Sequence, residues 1–93
     1  MLILAITMHI VPERREEAVG IALSMVEATR KEEGCLAYTF YSPLDDPHTF
    51  FVYEEWISEE ALNAHLQSAH MKVYQKRMPA VVVGSVEVKR YTG

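Results

Sequence analysis

The residues best suited to chemistry crowd into one stretch. Phe50 to His70 reads FFVYEEWISEEALNAHLQSAH and holds the only tryptophan, two adjacent carboxylates and two of the four histidines. Side chains alternate along a strand, so Glu54 and Trp56 share one face with Phe50 and Val52. A carboxyl in apolar surroundings has its pKa raised by desolvation unless a cation pairs with it, and such a group can serve as a general base. An indole beside it can stack on a flat aromatic and donate one N–H bond. Ser58 is placed to cap a following helix, with Glu59 and Glu60 in its first turn, where the helix dipole favours negative charge. His65 falls on that helix's apolar stripe with Ala61, Leu62, Leu66 and Ala69. Glu54, Trp56 and His65 are therefore the expected catalytic trio, with Glu54 or His65 as base and Trp56 as platform. The structural alternative for each is plain: a packed indole, a carboxyl holding helix to sheet, and a satisfied core imidazole.

Other candidates surround this stretch. Thr7 and His9 share one face of the first strand, the expected cavity face. Tyr38, Phe40, Phe50 and Phe51 supply aromatic walls, and Tyr74 and Met78 are placed to cap a cavity as a lid. Thr7, His9, Tyr38, Phe50, Val52, His70 and Tyr74 are the expected substrate-contacting residues. His70 lies five positions after His65, near the start of a short third helix, and the i, i+5 spacing places the two on different helical faces, a poor metal pair. No metal site and no cofactor are expected. Cys35, at a strand start with no motif around it, is expected to be inert, because reactive thiols need electropositive surroundings.

These residues need elements to position them. Leu2 to Val11 is expected as strand one, Glu13 to Glu33 as a long helix with Val19, Ala22, Leu23 and Val26 at helical spacing, and Gly34 as its terminator. Cys35 to Tyr41 is strand two, and Ser42 to His48 is dense in turn residues. Thr49 to Ile57 is strand three, Glu59 to Gln67 a second helix, Met71 to Met78 a short third one, and Ala80 to Tyr91 strand four. The order is the α+β, ferredoxin-like βαββαβ arrangement, in a single domain spanning 1–93.

Two helices cover only one face of a four-stranded sheet. Here both faces alternate with apolar residues: Leu2 and Leu4 against Ile3 and Ala5, Phe50 and Val52 against Phe51 and Tyr53. A homodimer packed through its sheet faces is expected, since a lone chain would bare a patch beyond that usual for monomers. The net charge of −4 argues against nucleic acid and anionic membrane as partners. The single cysteine fits a reducing, cytoplasmic setting. Met1 to Ile10 lacks a basic leading region, so a strand is expected there, not a signal peptide. No Cys-x-x-Cys, Gly-rich phosphate loop or RNA-binding signature occurs.

An ordered set of short motifs runs nearly the length of the chain: Glu32-Glu33-Gly34-Cys35-Leu36 with Tyr38, Leu44-Asp45-Asp46-Pro47, Glu54-Glu55-Trp56 with Ser58, and Ala61-Leu62, Ala64-His65, Ser68 and His70. This set closely resembles the antibiotic-biosynthesis monooxygenase family. The resemblance implies a dimeric α+β barrel. It also implies a cofactor-independent oxygenase that binds a small quinol or anthrone-like aromatic, removes a proton through a cavity His or Glu, and passes an electron to O2. In the family pattern the glutamate and tryptophan of the ExW motif face the cavity, which carries onto Glu54 and Trp56. Haem-degrading relatives use an asparagine on the first strand that this chain lacks. Two alternatives stay open: an isomerase of a small phosphorylated signal, with Lys72, Lys76, Arg77 and Lys89 as phosphate partners, and a non-catalytic dimeric small-molecule binder.

Overall fold

The computed structural model describes residues 1–93. Its elements run β1 (Leu2–Ile10), α1 (Arg15–Thr29), β2 (Cys35–Tyr41), β3 (Thr49–Trp56), α2 (Glu59–Leu66), α3 (Ala69–Arg77) and β4 (Val82–Thr92), with 3-10 turns at Pro12–Arg14 and Met78–Val81. The expected βαββαβ order is present, with α3 added before the last strand. All neighbours in the sheet are antiparallel, in the order β2-β3-β1-β4.

Register decides which side chains meet. Leu2 faces Trp56, Leu4 faces Glu54, Ile6 faces Val52 and Met8 faces Phe50 across the β1–β3 pair. On that face Leu2, Leu4, Met8, Phe50, Val52, Glu54 and Trp56 are buried. They pack beneath α1, whose buried stripe is Ala18, Ile21, Ala22, Met25 and Thr29. This stripe is one residue round from the one expected, and Leu23 is exposed. The helix is apolar over a wide arc, and Ala18, Ile21, Ala22 and Met25 share one core cluster with the buried sheet residues. The opposite sheet face carries Ile3, Ala5, Phe51 and Tyr53, all only half-buried, with Tyr41, Val83 and Tyr91 exposed.

Helix α1 ends at Thr29, four residues before the expected end, and residues 30 to 33 form turns. Gly34 is not a left-handed terminator, since the only positive-φ residue is Gly84. Its lack of a side chain serves packing: a Cβ at Gly34 would lie 2.2 Å from Cβ of Ala61 on α2. The second helix ends at Leu66, and Ser68 caps a new helix by accepting from the Met71 amide at 3.2 Å while its hydroxyl donates to the His65 carbonyl at 2.7 Å. Ser58 caps α2 as expected, accepting from the Ala61 amide at 3.1 Å.

One irregularity shapes the interior. Thr7 pairs with Glu87 and His9 with Val83, so Gly84, Ser85 and Val86 stand opposite Met8 alone. Gly84 takes φ +69 in this bulge, a conformation that favours glycine. Met8, Gly84 and Val86, which meet at this irregularity, all line the hollow under α3.

Candidate active site

Glu54 is 3% exposed and Trp56 is fully buried. Their spacing of two on β3 brings them together: the indole Nε1–H donates to Glu54 Oε1 at 2.9 Å. Burial pushes the Glu54 carboxyl up from 4.5 to about 7, the indole bond pulls against that rise, and the Glu32 charge adds to it. No cation pairs with Glu54, so near neutral pH it is divided between acid and base forms. Tyr38 and Tyr74 both feel its charge, and burial raises their phenols well above the ordinary tyrosine range. They remain neutral hydrogen-bonding groups.

His65 stacks on the indole, with ring centroids 4.6 Å apart and planes tilted by 36°, and lies 5.8 Å from the Tyr38 ring. It does not pair with Glu54. Its Nδ1 meets Oε2 of Glu32 at 2.7 Å, and Nε2 of His70 meets the same oxygen at 2.6 Å. An ionised carboxylate only accepts, so each imidazole presents N–H to it. Burial holds His65 below its ordinary pKa, while Glu32 opposes that shift. The expectation that His65 and His70 are separated by their helical phase fails, because α2 ends between them and α3 sets off afresh. Glu32 is not among the site residues expected from the sequence. Its only sequence signal was its place in the Glu-Glu-Gly-Cys motif, since a turn residue has no periodicity to betray it.

An apolar hollow lies beneath α3, beside the bulge. It has a volume of about 380 Å3, and eight of its eleven lining residues are hydrophobic, among them Ile6, Met8, Met71, Met78, Val86 and Val88. Tyr74 and Gln75 are its polar wall residues, and no lysine or arginine lines it. Tyr74 and Met78 thus sit where a lid was expected. Glu54 lies one strand over from this hollow and two residues along from the Ile6–Val52 pair on the same face.

The remaining candidates are dispersed. Thr7 faces Phe51 and His9 faces Thr49, so both belong to the uncovered sheet face, opposite to Glu54 and Trp56. His9 Nδ1 lies 3.1 Å from the Thr49 hydroxyl. Tyr38 and Val52 are core residues, and Phe50 lines a shallow groove with Arg15, Val19 and Phe40. His70 borders a small groove between α1 and α3. Trp56 lines no cavity, and one face of its ring is taken by His65, so the platform role expected of it has no open surface to act through. Burial and the charges of Glu32 and Glu54 raise the Cys35 thiol, which keeps it protonated. No helix is long and apolar enough to cross a membrane.

The sequence profile of the family described as antibiotic biosynthesis monooxygenase matches residues 1–77. An uncharacterised protein of Synechocystis is 26% identical over 90 residues, covering 97% of this chain, which spans 61% of that protein's length. YcnE of Bacillus subtilis, provisionally named a monooxygenase, is 29% identical over 90 residues, covering 97% of this chain and 95% of YcnE. Among solved structures, one described as an antibiotic biosynthesis monooxygenase superposes with a TM-score of 0.94 at 28% identity, covering 100% of this chain and 98% of that one. A conserved protein from Methanosarcina mazei superposes with a TM-score of 0.92 at 29% identity, covering 97% and 89%.

Proposed function

Because the chain belongs to the antibiotic biosynthesis monooxygenase family, we propose that it is a monooxygenase that oxidises a small, electron-rich aromatic of the quinol or anthrone kind with O2 in the hollow under α3. The observation that carries the reading is a pairing. An apolar hollow of about 380 Å3 lies diagonally across the sheet from a buried carboxyl held at about 7. That volume is in the range of small-molecule sites, roughly 300–1,000 Å3.

Glu54 is the proposed base. Glu54 does not line the hollow, so its carboxylate takes the proton of the acidified C–H or O–H only once the substrate, settled against Tyr74, reaches past Ile6 to within hydrogen-bond distance of it. For an anthrone-type CH2, the resulting anion gives one electron to O2. The radical pair then joins to form a C–O bond, and the peroxide anion takes the proton back from Glu54. Loss of water leaves a carbonyl, so CH2 and O2 become C=O and H2O. The apolar lining keeps bulk water from the anion. Trp56 acts on Glu54 rather than on substrate, fixing the carboxyl through its N–H. His65 holds the indole in place from the other side.

The phosphorylated-signal isomerase is disfavoured by the lining of the hollow, which offers no cation to a phosphate. Lys89 is on β4 in register with Ala5 of the uncovered face, remote in orientation from the hollow. We also propose a homodimer through the uncovered face, supported by the exposed Tyr41, Val83 and Tyr91 and the half-buried Ile3, Phe51 and Tyr53 there.

The test is oxygen consumption by the purified protein with menadiol and anthrone, beside Glu54→Gln and Val88→Trp. Saturable uptake that the first substitution slows and the second blocks supports the reading. Uptake at the level of the protein-free background for both substrates rejects it, and a non-catalytic binder then remains if Val88→Trp abolishes aromatic binding.

A further inference from the structure

Glu32, His65 and His70 come from three separate segments: the turn after α1, the last turn of α2 and the start of α3. Their ligand-capable atoms all lie within 4.8 Å of one another. The oxidation chemistry above uses neither Glu32 nor His70. We infer that these three side chains form a binding site for a divalent transition-metal ion, with Zn2+ the best match.

The donor set supports this ion class. Two imidazole nitrogens and one carboxylate oxygen, with a fourth position left for water, are ordinary zinc ligands, whereas Ca2+ and Mg2+ call for oxygen-rich shells. Convergence is the second argument. Both nitrogens point at one carboxylate oxygen, at 2.7 and 2.6 Å, so their lone-pair directions meet near a single point. Zinc bonds of about 2.0–2.1 Å in a tetrahedron set ligand atoms about 3.3 Å apart. The two contacts therefore need to open by roughly 0.6–0.7 Å, and the two nitrogens, within 4.8 Å of each other, need to close toward the same spacing. Glu32 and His70 can supply that movement, since their side chains are 18% and 27% exposed while His65 stays fixed against Trp56 at 2%. Each neutral imidazole frees its lone pair by moving its proton to the other ring nitrogen.

Access and charge agree with the assignment. Glu32 borders a surface groove of about 450 Å3 that also carries Glu33 and Glu60. An acidic rim of this kind raises the local concentration of cations. Cys35 contributes no ligand atom to the cluster, so the donors are two histidines and one carboxylate, with no thiolate. A bound ion would tie the α1–β2 turn to the junction of α2 and α3, cross-linking the segments that hold His65 against the indole.

The experiment uses the full chain stripped with a chelator and then titrated with ZnCl2 or CoCl2 alone. The expected result is one equivalent bound, with visible d–d absorption for Co2+ typical of a low-coordinate site and a rise in thermal midpoint with Zn2+. His70→Ala and Glu32→Gln, both at partly exposed positions, are expected to weaken binding by about 100-fold or more, beyond the 10–100-fold cost of losing a mere supporting group, and to abolish the thermal shift. Circular dichroism establishes that each variant is folded; His65→Ala is a further arm if it folds. Absence of saturable binding by the parent chain, or affinity unchanged in both variants, overturns the assignment and leaves the cluster a hydrogen-bonded clasp.

Discussion

Replacing Glu54 by glutamine tests the central electrostatic claim without any substrate. Burial raises the folded-state pKa of Glu54 from 4.5 to about 7. In that window the native chain binds more protons than the unfolded one, so the stability Glu54 contributes is full below 4.5, falls as pH rises, and is lost above about 7. The gap, at about 1.4 kcal/mol per unit, amounts to about 3 kcal/mol. The substituted glutamine is neutral throughout, and its carbonyl oxygen still accepts the indole N–H now bonded at 2.9 Å. Glu54→Gln should therefore gain about 2.5 kcal/mol relative to the parent chain between about pH 5 and pH 8, since part of the gap is already lost at pH 5, whatever fixed cost the amide carries. The assay is urea unfolding at both pH values at one protein concentration, since a dimer's stability depends on concentration. With slopes of about 1–3 kcal/mol per molar urea, the relative midpoint moves by about 1–3 M. A difference between the two proteins that stays constant with pH would mean that Glu54 titrates as an ordinary solvated carboxyl, and its assignment as the base would fall with it.

Three further outcomes follow from the same geometry. If Glu54 takes the proton, kcat/KM rises with pH to a plateau above about 7, and the acid limb vanishes in Glu54→Gln, read from a pH–rate profile on an active substrate. Phe51→Asp on the uncovered face converts the proposed dimer to a single chain by light scattering while far-ultraviolet circular dichroism is retained, because Phe51 pairs with Thr7 on the face without helices. Gly34→Ala places a Cβ 2.2 Å from that of Ala61 and should cost about 1–3 kcal/mol in urea unfolding, with most of it recovered in the double variant carrying Ala61→Gly.

The fold was legible because its signals are local and repeated. Alternation in Leu2–Ile10 and Thr49–Trp56, the turn-rich Ser42–His48 and the cap at Ser58 each specify an element without reference to the rest. Where reading failed, the cause was a contact distant in sequence. Gly34 resembles a helix terminator until Ala61 is brought against it, 27 positions later. Ser68 falls in the gap expected between the second and third helices, where nothing local says how the third sets off. Its hydroxyl bonds the His65 carbonyl and caps that helix. That break turns two imidazoles that a continuous helix would splay apart onto one oxygen of Glu32. The hollow was illegible for a similar reason: it depends on Gly84, Ser85 and Val86 facing Met8 alone, a mismatch between strands that neither strand displays by itself.

The candidate site divides along the same line. Period two sorts each strand into two faces, but it does not say which face of one strand continues which face of the next. Trp56, Glu54, Val52 and Phe50 could therefore be grouped correctly, while Thr7 and His9 were joined to the wrong set. One register fact separates them: Leu4 faces Glu54, so the odd-numbered side chains of β1 stand on the side without helices. The consequence reaches function. The hollow and Glu54 lie on the covered face within one chain, whereas His9 and Thr7 lie where a second chain is proposed to pack. Separating the chains with Phe51→Asp should then leave aromatic binding in the hollow intact, measured by calorimetry with menadione. A site built between the two sheets would lose its ligand and its partner together.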